Sequence, residues 1–481
     1  MSKPTRMPYF NQAGGKEQMV LAEGYLPTDK IFKIDRYLRY FGMLSQSIED
    51  YLQGNIRGKM KRPTKRMYGF SVLVLMTIVF ARNMLLAFVD DPEIRNILGE
   101  AVSARPAKQF TMALTLWSIY SFLLSRLFYR AEKNRWNSWL SPFAVFKGFI
   151  PPSIMGLDTG MTDHWFAKTK KTLAQMALFT NIRAVLGSMM FSWVAYARFR
   201  SNSVSQSYTI LWAVILTVWV YYCSAYAYIA YGHFISLAYY FRMRYHKVNE
   251  DIESIIAPDN RMKPNERCTT LQHVLNEHNE LCIKIKQYNI FWAKYLMYTY
   301  FMFVAVICYT TFQAFFTYNR TLVRAVMFSL TLEAAYLITK VSVGASRMAN
   351  EAHASYARLI RVTFDKYPVE LQIQASFQTP LKLLLRMFIQ RLSGPTIGFY
   401  CLDLFEITYS TYASIIAALG QNFLLIVDFV RSYAELKEEQ QASDLSLPEV
   451  FDVITNSTFD LNPLSLTSGA LRGASPETIS G

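Results

Sequence analysis

Seven stretches of this chain are predominantly apolar over about 20 residues or more, the length an α-helix needs to cross the hydrocarbon core of a bilayer. They cover residues 68–88, 110–129, 175–197, 208–240, 288–318, 322–343 and 404–430. Backbone amides and carbonyls cannot stay unpaired in hydrocarbon, so each stretch must be helical, and an all-α integral membrane protein with seven transmembrane helices is expected. Composition agrees: 52% of the 481 residues are hydrophobic and 18% are charged, against about 25% charged in soluble domains. The fourth and fifth stretches exceed the bilayer, so parts of them are expected to tilt or protrude.

Basic residues near span ends are retained on the cytoplasmic side, so their distribution orients the spans. The N-terminal segment carries 13 Lys and Arg, and the alternate connections at 130–174, 241–287 and 344–399 bring that side to 35, against 10 on the other. This predicts a cytoplasmic N-terminus and an external C-terminus. The net charge of +15 is thereby explained by cytoplasmic connections, and no nucleic-acid partner is expected. The two Asn-x-Ser/Thr sequons, at Asn319 and Asn456, both fall on the predicted outer side and are glycosylation candidates. The expected division is a cytoplasmic tail at 1–67, a membrane domain at 68–430 and an external, mostly disordered tail at 431–481.

The cytoplasmic connections have the pattern of helix. Residues 265–287 place Leu271, Val274, Leu275, Leu281 and Ile285 near one face and run without a breaker into the fifth span. A single helix over 265–318, about 80 Å long at 1.5 Å per residue, is expected. The sixth span continues toward Pro368, and residues 379–392 have the pattern of a further amphipathic helix. Such extensions either pack within one chain or join subunits.

Catalysis has little support. The six histidines and five cysteines form no HExxH, CxxC or paired metal-ligand spacing, and there is no phosphate-binding glycine loop or GxSxG turn. No enzymatic activity, metal or cofactor is expected.

In the last span, Thr411, Ser414, Ala418, Gln421, Leu425 and Asp428 share one helical stripe. Polar side chains deep in a membrane face protein or water, which leaves two readings. The stripe is a helix–helix seam, with Ala417, Ala418 and Gly420 allowing close approach. Alternatively it is a pore wall, lined by Ser414, Ala418, Gln421, Leu425 and Asp428, with Asp403 and Glu406 adding negative potential at the inner mouth. Arg82 and Glu333 are the costliest other intramembrane charges. The outer halves of spans three to six are rich in aromatic residues. Trp193, Trp212, Tyr309, Phe312 and Phe328, with Glu333, are candidates for a small-molecule pocket there, although aromatics at such depths also serve as belt or core.

With these features the chain resembles the insect gustatory and odorant receptor superfamily, most closely its gustatory-receptor-like branch. That family carries Thr-Tyr, five apolar residues and Gln-Phe in its last span. Here the string is QNFLLIVDF, in which Gln421 and Asn422 stand for Thr-Tyr, and Asp428 and Phe429 for Gln-Phe. The preceding GFYCLDLFEI, from Gly398, is also similar to the family's lead-in. The resemblance implies a tetramer of identical or related subunits with a central cation pore in the plasma membrane. Its subunits would be joined by a cytoplasmic anchor built here from about 241–287 and 344–399. It implies gating by a small tastant-like molecule in the outer half of each bundle. A G-protein-coupled-type receptor and a non-channel transport or structural protein are the alternatives. The former requires the opposite orientation, and ARFR at 197–200 lacks an acidic neighbour for its arginine.

Overall fold

The computed structural model describes residues 32–48, 63–89, 91–99, 105–148, 150–201, 206–256, 263–316, 321–364, 389–390, 392–393 and 397–444. In chain order its helices are α1 (Arg36–Tyr40), α2 (Pro63–Phe88), α3 (Pro92–Ile97), α4 (Arg105–Lys133), α5 (Thr159–Ser201), α6 (Gln206–Ile256), α7 (Pro264–Phe316) and α8 (Thr321–Phe364). A hairpin of β1 (Tyr400–Cys401) and β2 (Phe405–Glu406) then leads into α9 (Tyr409–Asp444). Two compact units, Met1–Ala417 and Ala418–Gly481, divide the chain within α9.

Among the described residues, five helices are long and apolar enough to cross a membrane: α2, α4, α6, α7 and α8. α5 carries more polar residues, yet Leu178, Ile182, Val185, Met189, Trp193 and Tyr196 stand outward along it. Their spacing of three or four residues makes one apolar stripe facing away from the protein.

Within the first unit, α5 packs along α6, α2 against α4, and α7 against α8, with α6 touching α7 and α8. α7 is the continuous helix expected from the unbroken pattern over 265–318, and its 53 residues measure about 80 Å. Its inward face buries Tyr288, Phe291, Trp292, Tyr295, Leu296 and Phe303.

The densest packing is aromatic and draws on segments with no regular long helix. The 3-10 segment Asn137–Lys147 buries Trp139, Phe143 and Phe146. Trp139 stacks on Phe291 at 5.5 Å between ring centres and meets Trp292 edge-on at 4.8 Å. Phe146 lies 4.2 Å from Trp165 of α5. Each ring removes a large apolar area from solvent, at about 25 cal/mol per Å².

The segment ahead of the first span also enters this core. Ile34, Leu38, Phe41 and Ile48 are buried, and the buried Asp35 carboxylate takes Lys147 and Arg39 at 3.2 Å each. Further along, Glu132 at the end of α4 accepts hydrogen bonds from the Ser45 and Gln46 amides at 2.8 and 3.1 Å. Part of the expected 1–67 tail is thus a packed element, because Ile34, Leu38 and Phe41 supply an apolar face for α6 to cover.

The all-α expectation holds, with one short two-stranded hairpin among the helices. Two bounds change: the last helix starts at Tyr409, not 404. At its other end the helix runs on to Asp444, past the expected limit of 430, through good helix formers and an Arg431–Glu435 pair at 3.0 Å. Asn319, Asn456 and most of the 379–392 helix lie outside the described residues.

Candidate functional site

The hairpin leads into the first turns of the last helix. β1 and β2 pair antiparallel, with Tyr400 opposite Glu406 and Cys401 opposite Phe405. The turn needs Leu402 in the left-handed region (φ 49°), where non-glycine residues are uncommon. Its cost is met by contacts with the bundle. The Leu402 amide donates to the Ala293 carbonyl at 3.3 Å, and the Asn289 side-chain amide to the Gly398 carbonyl at 2.9 Å. The Ile397 amide donates to His353 Nε2 at 2.8 Å, and Phe399 packs 4.9 Å from Phe234. The hairpin therefore bears on α6, α7 and α8 together.

Glu406 is the unusual group in this hairpin. One carboxylate oxygen is buried without a hydrogen-bond partner, and it lies so close to Gly398 that a Cβ there would overlap it. Burial pushes the carboxyl up to about 7. Asp403, at the tip of the turn, is exposed. The structure thus separates the two expected inner-mouth acids: Asp403 faces outward as an open charge, and Glu406 is partly enclosed.

α9 begins with a reciprocal cap. The Thr411 amide donates to Thr408 Oγ1 at 3.2 Å, the Thr408 amide to Thr411 Oγ1 at 3.0 Å, and Thr411 Oγ1 to the Glu406 carbonyl at 2.6 Å. Tyr412, one residue on, shares a 2.8 Å hydrogen bond with Thr339 of α8. Thr411 is spent on the cap, whereas Ser414 is exposed on the same stripe. In the second unit Ala418, Gln421, Leu425 and Asp428 are exposed as well, with Leu425 at 65% and its neighbour Leu424 at 62%.

The outer candidates are dispersed. Trp193 stands on the outward stripe of α5 and is 55% exposed. Trp212 donates its indole N–H to the Ile97 carbonyl at 3.1 Å, and the Arg82 guanidinium lies 4.9 Å above its ring. Arg82 also donates to the Leu98 and Gly99 carbonyls, at 2.8 and 3.2 Å. Gly99, at φ 65°, is held so close to Trp212 that a Cβ would clash. Arg82 is thus the clasp of the α2–α4 connection. Tyr309 packs on a small cluster of Ala113, Ala314 and Met327, and Phe312 beside it in sequence is half-buried. Phe328 is exposed and meets Phe315 edge-on at 6.0 Å.

Glu333 pairs with Arg183 of α5. The Arg183 guanidinium also covers the ring of Trp117 at 4.1 Å, and the buried Trp117 indole N–H has no partner. Sequence reasoning singled out Glu333 but neither Arg183 as its partner nor Trp117. The available signal was depth, since each lies about ten residues or fewer into its span. A cation, an anion and an unfilled donor on three helices make a compact polar point inside the bundle. No group of three or more metal-ligating side chains occurs among the described residues.

The architecture is similar to that of solved receptors. The insect olfactory receptor OR5 from Machilis hrabei superposes with a TM-score of 0.58 at 13% identity, covering 82% of this chain and 96% of that one. The same receptor in complex with eugenol gives 0.56 at 12%, covering 82% and 98%. No protein-family profile and no curated protein matches the sequence. The likeness is one of fold, and it extends over nearly the whole of the solved receptor.

Proposed function

We propose that this chain, with the fold of an insect olfactory receptor, is a subunit of a chemosensory ligand-gated cation channel of the odorant and gustatory receptor superfamily, of the gustatory type. The observation that carries this is α9: the last described helix, with Ser414, Ala418, Gln421, Leu425 and Asp428 exposed along one stripe. Four such helices around an axis would ring a pore with Gln421, Leu425 and Asp428, the apolar ring gating by dewetting and the acidic ring favouring cations. The stimulus would be a small, largely apolar molecule, in keeping with the eugenol complex of the similar receptor. Its polar end would be met by the Arg183–Glu333 pair and Trp117.

Seven membrane crossings with a cytoplasmic N-terminus, in the plasma membrane, belong to the same proposal. The outward apolar stripe of α5 supports it as a crossing helix. Topology is the first test: a tag ahead of residue 32 should be hidden in intact cells and Asn456 should carry glycan. An exposed tag with bare Asn456 would overturn both orientation and channel. Permeation is the second. Asp428→Asn should reduce cation over anion permeability at unchanged surface expression, and unaltered selectivity would remove Asp428 from the pore.

A further inference from the structure

The side of the bundle formed by α2 and α4 holds an open recess of about 650 Å³. At one end it is lined by Arg126, Arg130 and Lys133, with Tyr129 and Asn134 beside them. Leu73, Thr77 and Phe122 line the rest. The three basic residues stand at i, i+4 and i+7 on α4, one face of its last two turns, and all three are exposed. Glu132, the acid of that turn, is turned away and committed to Ser45 and Gln46. Among the described residues no acidic side chain lines the recess.

The recess adjoins an exposed apolar face of α2. On α2 the adjoining residues Phe70, Val74, Ile78 and Leu85 are exposed and apolar, as a bilayer-facing stripe requires. From Phe122 to the end of α4 at Lys133 the distance is about 16 Å at 1.5 Å per residue. The site therefore has cations at headgroup depth and an apolar wall running into the hydrocarbon. This is the shape of a phospholipid, with one end anionic and the other a chain.

We propose that this recess binds an anionic phospholipid. Its phosphate and acidic headgroup would be held by Arg126, Arg130 and Lys133, and the upper part of an acyl chain would lie along Leu73 and Phe122. In the orientation proposed above, the basic end lies at the cytoplasmic leaflet, where such lipids concentrate. The assignment needs only that α2 and α4 cross the membrane, and does not depend on channel activity.

Native mass spectrometry of the full-length protein, titrated with dioleoyl phosphatidylserine or dioleoyl phosphatidylcholine, tests it. The serine lipid should be retained about tenfold more tightly. The triple variant Arg126→Gln, Arg130→Gln, Lys133→Gln should abolish the preference, while Arg126→Lys with Arg130→Lys should keep most of it. These side chains are exposed, and folding is checked by the variant's unchanged monodispersity. Equal retention of the two lipids by the unaltered protein would overturn the proposal whatever the variants do. So would an undiminished preference in the glutamine variant. Displacement of the lipid by millimolar inorganic phosphate alone would reassign the recess to a free anion. Because mass is read, not current, a silent channel leaves this result standing.

Discussion

α7 and α9 are both long helices with apolar and polar residues mixed along their length, and they end in opposite circumstances. α7 places Phe291, Trp292, Tyr295 and Phe303 against its own chain, where each is buried. α9 leaves Ser414, Ala418, Gln421, Leu424, Leu425 and Asp428 exposed. The hydrophobic effect acts on whatever removes apolar area from water. For α7 the single chain does so, and under the proposed function lipid or another subunit does so for α9. α7 is also the one of the two apolar enough to cross a membrane, and its large aromatics are placed inward.

The sharpest way to break this contrast is to weaken the self-packed side. Trp139→Ala removes a fully buried ring between Phe291 and Trp292, and should cost about 3–5 kcal/mol. Thermal unfolding of purified protein, followed by loss of monodisperse material, would show it. A shift no larger than that of a surface variant would mean the aromatic cluster is not the stabilising centre.

Next in size is the ion pair. Glu333→Gln leaves the partly buried Arg183 without its carboxylate and should cost about 2 kcal/mol. Exchanging the charges, Arg183→Glu with Glu333→Arg, should recover most of that stability. Failure of the exchange to recover anything would mean the guanidinium's place over Trp117 matters more than the charge pairing.

A smaller effect follows from Glu406. Its carboxyl, pushed up to about 7, keeps its proton in the folded protein where the unfolded chain has lost it. Between the ordinary carboxylate range and about 7 the folded state binds more protons, so stability is greatest at the acid end and declines as pH rises through that window. Melting temperature measured across it should fall in the unaltered protein and flatten in Glu406→Gln. A flat profile in both would show that the carboxylate finds a partner in the membrane-embedded protein.

The smallest effect sharpens the contrast from its other side. Leu425→Ala should change the folding of the isolated chain by less than about 0.5 kcal/mol, since the side chain touches little of it. In a conducting assembly the same change should alter gating. A large loss of monomer stability would place Leu425 in a packed seam.

How much of this was legible depends on the range of the signal. The 53-residue α7 was, because no proline or glycine interrupts residues 265–316. The hairpin was not: residues 398–407 are mostly apolar, broken only by Asp403 and Glu406, and periodicity cannot separate strand from helix in so short a stretch. Thr408 and Thr411 did mark the helix start, had they been weighed as a cap. The segment around Trp139 was counted for its basic residues alone, although eleven residues with two tryptophans and two phenylalanines from Trp136 to Phe146 announce burial. Of the candidate site, the polar stripe was readable from spacing within one helix. The partners of Arg82 and Glu333 were not, because they depend on which spans are neighbours, and no local pattern encodes that.

An uninterrupted α7 has a mechanical consequence. Tilted by about 3° about its midpoint, a stiff rod of about 80 Å carries each end through about 2 Å in opposite directions. The hairpin, fastened to that rod through Asn289 and Ala293, lies near its midpoint, the fulcrum. Side chains at the two ends of α7 are therefore geared to each other through a single stiff lever.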